Sequence, residues 1–387
     1  MNKNIEKIIL KYFSKQASID ELKELAKWLD EPSHVLLYRE FVKINYLIEY
    51  DLIDFDTEKE KKKILARIHQ KKSNKFKTKV IDLCKYAAAI VLIISSGYLI
   101  TDKFFKGSDE DISTVVTRDV TPGTDKATLT LDDGTTVSLE KGQYLKTQNA
   151  DSNGEEIVYQ ASKTKSKEIR YNYLTIPRGG QYRLILSDKT EVWLNSESQL
   201  KYPVNFIEGQ TRVVELVYGE AYFDVSPSLD NGGSKFMALN QSQLVEVLGT
   251  EFNLKAYKEE EYIYTTLVEG KVTINFNGEK QNLFPNQQAQ WNPLANVFSI
   301  ETDVDVYNEI SWKNGVFSFD GKSLKEIMKI ISRWYDVEVF FFDKKIENTE
   351  FIGVLRKNRK LEDMLINIKN FGIIKDYEIN DKRVILR

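Results

Sequence analysis

The stretch YAAAIVLIISSGYLI, residues 86–100, divides the chain into two dissimilar halves and contains no charged residue. As a helix rising about 1.5 Å per residue, it extends roughly 22 Å. That is short of the bilayer core of roughly 30 Å, but Leu83 and Cys84 extend the helix and Lys85 and Lys103 can snorkel to the headgroups. We interpret it as a single membrane crossing; the alternative is a buried core helix, because uncharged runs near this length fit both. The core of the predicted crossing comprises Tyr86, Ile90, Leu92, Ile94 and Ile100.

The charges on either side of this stretch favour the membrane interpretation and orient it. Eleven Lys or Arg residues lie between Lys59 and Lys85, whereas Asp102 and the run 109–111 (DED) follow the crossing. Basic residues concentrate on the cytoplasmic side of membrane helices. The N-terminus is therefore predicted to be cytoplasmic, and residues after about 105 to be outside.

Composition excludes several classes of function. The 387 residues carry a formal net charge of -3, which argues against general nucleic-acid binding. The one cysteine is Cys84, and the two histidines, His34 and His69, both precede the predicted crossing. Cysteine zinc sites, His-ligated metals and Ser–His or Cys–His chemistry are thus not expected beyond it. The sequence predicts no catalytic residue, no cofactor and no metal.

Residues 1–80 have the periodicity of a small all-α bundle. Apolar residues recur at helical spacing, Ser18 with Glu21 fits a capping box, and Leu22, Leu25 and Leu29 then follow on one face. A bundle of this size buries only a modest core, so a partner could cover leftover apolar surface. Trp28 is either part of that core or an anchor for a partner.

Beyond the crossing, the period of the apolar residues changes to two. TPGTDKATLTLDDGTTVSLE (121–140) aligns without gaps on IPRGGQYRLILSDKTEVWLN (176–195), a repeat at a spacing of 55 residues. Each copy is predicted to form a strand, an Asp-containing turn and a second strand. Further strands are predicted at Arg212–Val217, Glu220–Val225, Gln243–Leu248, Phe252–Tyr257, Ile263–Leu267 and Lys271–Phe276. The pattern predicts an all-β region over 105–310, as an elongated sandwich or a solenoid-like stack.

One pair of carboxylates, Glu220 and Asp224 in GEAYFDV, raises the question of glycosidase chemistry. Four residues apart on a strand, at roughly 3.3 Å per residue, they would lie about 13 Å apart. Glycosidase pairs lie about 5–9.5 Å apart. We therefore interpret this pair as a solvated strand face.

The last segment, residues 311–387, is predicted to be an α+β domain of two successive β-α-β units. Ser323 and Glu326 form a capping box before a helix whose inward face is predicted to comprise Ile327, Ile330, Ile331 and Trp334. A second helix with Leu361, Leu365 and Ile368 inward follows, each helix lying between predicted strands. Neither strand–helix junction has a glycine-rich phosphate loop.

With these motifs in place, the chain resembles a known family. The runs IPRGGQYRLILSDKTEVWLNSESQLKYPVNF (176–206), GEAYFDV (219–225), VLGTEFNLKAY (247–257) and TTLVEGKVTI (265–274) are similar to FecR-family anti-sigma factors. Residues 312–387 resemble the extra C-terminal domain of the Bacteroidota members, itself similar to the signalling domain of TonB-dependent transducers. Lys189 departs from the pattern, which usually has Gly in an Asp-Gly-Thr turn. The family-motif residues are Asp188, Thr190, Trp193, Gly219, Glu220, Phe223, Gly249, Thr250, Phe252 and Gly270.

The resemblance implies a layout and a set of partners. Residues 1–80 would be a cytoplasmic domain that binds an extracytoplasmic-function sigma factor, with Leu25, Trp28, Leu29 and Phe41 as candidate contacts. Residues 81–104 would cross the inner membrane, and 105–387 would lie in the periplasm. There they would receive a signal from the N-terminal domain of a TonB-dependent outer-membrane receptor, and envelope proteases would act near the crossing. The resemblance implies no enzyme, no cofactor and no direct nucleic-acid contact.

Two other classes of function compete with this interpretation. One is a membrane-anchored periplasmic binding or scaffold protein for polysaccharide or envelope components, in which residues 1–80 are dispensable. The other is an envelope carbohydrate hydrolase that uses carboxylates, which ranks last because Glu220 and Asp224 are predicted to lie too far apart.

Overall fold

The computed structural model describes residues 120–147, 149–160 and 169–387, and near the N-terminus residues 5, 8, 9, 19–29, 31, 34 and 38. The predicted crossing at 86–100 and the candidate contact Phe41 lie outside the described residues, so both stay predictions. Within the described ranges, no helix has the length and apolar character that a bilayer span requires. The chain divides into two compact units, Met1–Val116 and Thr117–Arg387, which are described separately below.

In the first unit, the described residues form helix α1 (Ile19–Leu29) and a small apolar cluster. The predicted helix over this stretch is thus present. Leu25 lies in the cluster with three buried isoleucines, while Trp28 and Leu29 pack at its margin. The isoleucines are Ile5, Ile8 and Ile9.

The second unit begins with an all-β region, as predicted. Its strands are β1 (Thr124–Thr130), β2 (Thr136–Glu140), β3 (Leu145–Lys146), β4 (Ala150–Ser152), β5 (Glu156–Tyr159), β6 (Tyr171–Ile176), β7 (Gly180–Ile185), β8 (Glu191–Leu194), β9 (Ser198–Pro203), β10 (Arg212–Asp224), β11 (Phe236–Asn240), β12 (Gln243–Val247), β13 (Glu251–Ala256), β14 (Ile263–Glu269), β15 (Val272–Phe276), β16 (Glu279–Leu283), β17 (Gln288–Asn292) and β18 (Val297–Glu301).

These strands form two layers around one apolar core, which we call the sandwich (residues 120–301). The first layer has the order β2-β1-β6-β9-β10-β11-β12-β15-β16. The second has the order β3-β4-β5-β7-β8-β10-β13-β14-β17-β18. Apolar side chains of both layers, such as Leu200 and Phe252, share the core. Alternate residues of each strand therefore point inward, as the period of two predicted.

The internal repeat is confirmed at the level of strand register. Leu129 pairs with Val137 in the first hairpin, and Leu184 pairs with Val192 in the second, each at a spacing of 55 residues. The two Asp-containing turns also match, because Asp133 and Asp188 each accept a hydrogen bond from the main-chain N–H two residues later.

Strand β10 corrects the prediction of two separate strands at 212–217 and 220–225. It is continuous from Arg212 to Asp224, with a change of register between Leu216 and Tyr218, and its two ends belong to different layers. Gly219 lies within it at φ +98°, a conformation that only glycine adopts easily. A Cβ there would also lie 2.2 Å from Ser198 Oγ. The glycine therefore bends one strand instead of ending it.

The remainder of the unit is the C-terminal module (residues 306–387). Its elements are α2 (Val306–Ile310), β19 (Val316–Ser323), α3 (Leu324–Tyr335), β20 (Glu338–Phe341), β21 (Glu350–Arg356), α4 (Leu361–Asn370), β22 (Tyr377–Asn380) and β23 (Arg383–Leu386). The capping box at Ser323 and Glu326 is confirmed. Both predicted inward faces are also confirmed, since Ile327, Ile331 and Trp334 of α3 lie in one core with the apolar face of α4.

The strand pairing in this module differs from two self-contained β-α-β units. Strand β19 pairs with β21, and β20 pairs in parallel with β23, which in turn pairs with β22. The predicted order of strands and helices is present, but each half pairs with the other half. A hydrophobic pattern determines which face of a strand is buried, but it does not determine which strand lies beside it. The predicted domain boundaries at 80/81, 104/105 and 310/311 stay predictions.

Candidate functional site: a buried charged junction

The sandwich and the C-terminal module meet at a junction that contains buried charged side chains. Glu220, on β10, is 7% exposed. Its carboxylate accepts hydrogen bonds from Asn195 Nδ2 (2.8 Å) and Asn253 Nδ2 (3.0 Å). The interpretation of Glu220 and Asp224 as a solvated strand face is therefore wrong for Glu220, because the module covers this part of the sheet. Asp224 remains exposed, so the two carboxylates do not converge on one site.

A chain of alternating charges crosses the junction beside Glu220. Lys255 Nζ of β13 lies 2.7 Å from Glu260 Oε2, and Glu260 Oε1 lies 2.8 Å from Arg333 Nη2 of α3. Arg333, 4% exposed, also pairs with Glu259 and stacks on Tyr257, with its guanidinium carbon 3.5 Å from the ring centroid. Burial tends to raise the pKa of Glu260, but Lys255 and Arg333 outweigh it and lower that pKa. The Glu260 carboxylate can therefore remain ionised between the two cations.

A second contact holds Lys313 of the module on two aromatic rings of the sandwich. Its ammonium lies 3.5 Å from the centroid of Tyr222 and 4.5 Å from that of Trp193. The two rings meet edge to face, with centroids 5.7 Å apart. Burial lowers the pKa of Lys313, partly opposed by Glu251 and Asp224. Trp193, a family-motif residue, thus contributes a cation–π contact.

Lys357 is the most deeply buried cation of the junction, at 2% exposed. Its ammonium donates to Gln181 Oε1 of the sandwich (2.7 Å) and to the carbonyl of Trp312 (3.2 Å). It also lies 3.7 Å from the centroid of Trp334. Among the described residues, no carboxylate forms an ion pair with it, and burial lowers its pKa to about 7, partly opposed by the charges of Glu220 and Asp125.

The space enclosed beside Glu220 is small. A cavity of about 40 Å³ is lined by residues of both parts, including Glu220, Lys255 and Arg333. Sites for small molecules usually have about 300–1,000 Å³. Among the described residues, no group of His, Cys, Asp and Glu side chains is placed to hold a metal ion. The arrangement connects two modules through hydrogen bonds and ion pairs.

The first two motif residues, Asp188 and Thr190, form a separate buried node in the second repeat. Asp188 Oδ2 lies 2.6 Å from Arg212 Nη1, and both side chains are at most 3% exposed. Thr190 Oγ1 donates to Asp188 (2.8 Å), and Arg212 also donates to the carbonyls of Ser226 and Ser234 (both 3.0 Å). The node ties the repeat turn to the loops after β10.

Five further motif residues lie in the sandwich, away from the junction: Phe223, Gly249, Thr250, Phe252 and Gly270. Phe223 and Phe252 stack in the core with centroids 4.9 Å apart. Thr250 Oγ1 donates to the carbonyl of Lys271 (3.0 Å), and Gly270 lies so close that a Cβ would be 2.9 Å from that hydroxyl. Gly249 packs against Pro227 in the same way. These contacts indicate packing roles.

Of the candidate sigma contacts, three can be placed. Leu25 is buried in the apolar cluster, whereas Trp28 and Leu29 are half-buried. The Trp28 ring stacks on His34 with centroids 4.4 Å apart, and His34 Nδ1 lies 2.8 Å from the carbonyl of Trp28. Sigma binding by these residues stays a prediction.

The sequence analysis did not predict the cations of the junction as site residues. Arg333 is a charged residue within a helical segment that is largely apolar on one face. Three further cations, Lys255, Lys313 and Lys357, follow ordinary strand or turn patterns. A charge that the periodicity places on an inward face would have been the one available signal.

The fold and the junction define a class: a two-module protein whose all-β and α+β parts are joined by buried ion pairs. Residues 172–273 match the family model described as FecR protein, and residues 316–386 match the one described as FecR, C-terminal. Both stretches therefore match models of the FecR family. The first repeat copy, 121–140, lies outside both matched ranges.

Comparison with solved structures found similar chains. Two crystal structures, at 1.65 and 2.50 Å resolution, are of a candidate anti-sigma factor from Parabacteroides distasonis ATCC 8503. Each is 26% identical, with a TM-score of 0.49, and covers 56% of this chain and 98% of its own. Comparison with curated proteins gave no match.

Proposed function

We propose that this chain is a single-pass anti-sigma factor that holds a sigma factor on one side of a membrane and receives a signal on the other. The observation that carries the proposal is the succession of the two FecR-family matches, 172–273 and 316–386, within one compact unit. The basic run before 86–100 supports the orientation.

The partners follow from the family and from this layout. Residues 1–80 bind an extracytoplasmic-function sigma factor in the cytoplasm. Residues after about 105 lie in the periplasm and receive the N-terminal domain of a TonB-dependent receptor, and envelope proteases cut near the crossing. The protein is a regulator and uses no cofactor.

The junction supports a regulatory function over an enzymatic one. Its charged side chains are engaged within the protein: Glu220 accepts hydrogen bonds from two asparagines, and Arg333 pairs with Glu259 and Glu260. Interfaces between domains that are polar, as this one is, resemble those of transient complexes. A domain that receives a signal by changing its conformation needs an interface that can open more than it needs a ligand-binding pocket.

The test is co-purification of the tagged full chain, in detergent, with each extracytoplasmic-function sigma factor of its host. We expect one of them to form a one-to-one complex. Trp28→Glu places a charge on a half-buried ring of the cluster margin and should abolish that complex. Lys27→Glu, at the exposed neighbouring position, is the matched control and should leave it intact.

A folded full chain that binds none of the sigma factors would contradict the proposal. In that case the binding or scaffold function for envelope components would become the better interpretation. If the Trp28→Glu and Lys27→Glu variants bind the sigma factor equally well, the proposed function stands but Trp28 is not part of the contact surface.

A further inference from the structure

The start of the described outer unit lies directly beneath the C-terminal module. We call residues 120–124 the leading segment. Val120 packs against the core of the module. The main chain of Gly123 lies against the Trp334 indole, because a Cβ there would be 2.7 Å from a ring carbon and 2.8 Å from the Gly179 carbonyl. The module thus contacts the first described residues after the predicted crossing, of which Thr121 and Thr124 remain exposed.

The turn between β6 and β7 joins the leading segment to helix α3. The Thr124 N–H donates to the carbonyl of Gly179 (3.0 Å), and the Gly179 N–H donates to the carbonyl of Arg333 (2.7 Å). Gly179 has φ +69°, which glycine adopts at low cost. One residue is therefore bonded to both the leading segment and the module.

Arg178, beside it, fixes the C-terminal end of α3. Its Nη2 donates to the carbonyls of Ser332 (2.7 Å) and Val337 (2.9 Å), and its Nε lies 3.3 Å from Asp336. The last carbonyls of a helix lack partners within the helix and attract cations. The sandwich thus adds a cation to the end of this helix, where the main-chain N–H groups of Asp336 and Val337 also bond to Ser332.

Trp334 is held in place from the far side. Its Nε1 donates to the carbonyl of Lys357 (2.8 Å), and Lys357 Nζ donates to Gln181. Gln181 in turn donates to Asp125, the residue that follows the leading segment (2.9 Å). The same contacts that dock the module therefore also fix the first residues of β1.

We propose that the C-terminal module is a clasp on the leading segment, so that the main chain at Gly123 and Thr124 is released only when the module undocks. Its regulatory meaning rests on the proposed function, since displacement of the module by a periplasmic partner would then free the chain next to the membrane. The contacts that keep the clasp closed join Arg178 and Gly179 of the sandwich to the module, and involve Trp334 and Lys357 on the module side. A groove of about 260 Å³, lined also by Lys126 and Lys382, borders the segment.

The sharpest perturbation is Gly123→Ala in the detergent-solubilised full chain. The added methyl group overlaps Trp334 and the Gly179 carbonyl without altering a residue of the module. Hydrogen exchange, resolved at the Thr124 amide, should accelerate by at least about tenfold, because its bond to Gly179 opens locally. Exchange in β7 and β8 should stay as in the wild type.

Two further variants keep the test specific. Gly134→Ala strains the first repeat turn, at φ +85° with open space around it, and should leave exchange at Thr124 unchanged. Trp334→Leu removes the indole and should itself accelerate exchange at Thr124. Adding Gly123→Ala to it should then bring little further change, because the two act on one contact.

Unchanged exchange at Thr124 in Gly123→Ala, or acceleration that is equal throughout β7 and β8, would overturn the clasp. The measurement needs no sigma factor. If Gly123→Ala accelerates exchange at Thr124 but the full chain binds no sigma factor, only the proposed function is contradicted. If the chain binds a sigma factor but exchange at Thr124 is unchanged, only the clasp is contradicted.

Discussion

The internal repeat provides a controlled test of the buried ion pair in the sandwich. Asp133 and Asp188 occupy the same position in two matching turns, and each accepts one hydrogen bond from the main chain two residues later. Only Asp188 also faces a cation, Arg212, at 2.6 Å with both side chains nearly inaccessible. Replacing each aspartate by asparagine therefore isolates the ion pair from the turn.

The expected magnitude follows from what Asp188→Asn leaves behind. The amide oxygen can still accept from the main chain, but Arg212 becomes a buried cation with no carboxylate. At an effective dielectric constant of about 20, two charges about 4 Å apart interact by about 4 kcal/mol. Removal of one partner from a buried pair costs about 3–5 kcal/mol. We expect Asp188→Asn to lower the free energy of unfolding by that amount, a large part of the stability of most domains.

The assay is urea unfolding of residues 117–387, followed by tryptophan fluorescence. Asp133→Asn, whose carboxylate is exposed, should unfold at the midpoint of the wild type. Asp188→Asn should unfold at a lower urea concentration with an unchanged m value. The double change Asp188→Asn with Arg212→Met should recover most of the loss, since no charge is then stranded. If Asp188→Asn and Asp133→Asn had the same midpoint, the reasoning from burial would be refuted.

Three further outcomes can be measured in the same fragment. Lys189 has φ +71° where the first repeat has Gly134, so Lys189→Gly should raise the free energy of unfolding by about 0.5–1 kcal/mol; a lower midpoint would contradict this. Gly219→Ala, at φ +98° against Ser198, should destabilise by at least about 2 kcal/mol, and a wild-type midpoint would show that β10 can bend without glycine. The pKa of Lys357 is about 7 in the folded chain and near 10.4 when unfolded, so the unfolded state holds more protons between these values. The free energy of unfolding should therefore rise with pH across that window, by up to about 1.4 kcal/mol per pH unit. Unfolding curves at pH 6.5 and 9 should show a smaller rise in Lys357→Met than in the wild type. Equal rises would contradict the lowered pKa of Lys357.

Much of the fold followed from short-range patterns in the sequence. The repeat at a spacing of 55 residues predicted two hairpins, and their registers match because each Asp-containing turn fixes the pairing of its own strands. The capping box at Ser323 was predictable for the same reason, since its partner Glu326 is three residues away.

The candidate site depended on contacts between residues far apart in sequence. Arg178 meets Ser332, and Gln181 meets Lys357, over sequence distances that no periodicity reports. Glu220 looked solvated because a strand pattern cannot show which second layer covers it. Gly219 looked like the end of a strand because glycine interrupts a strand pattern whether the chain turns or bends.

The polarity of the junction bears on how the chain could signal. An interface of leucines would hold the module more firmly, because replacement of a buried ion pair by apolar residues is often neutral or stabilising. Here Arg333, Glu260, Lys255 and Lys357 occupy that place instead, and each can return to water when the module undocks. The stability lost on undocking is then smaller than for an apolar face of the same area, since separated charges regain their hydration. A clasp made of such contacts can be rigid when closed and still be opened by a partner of moderate affinity.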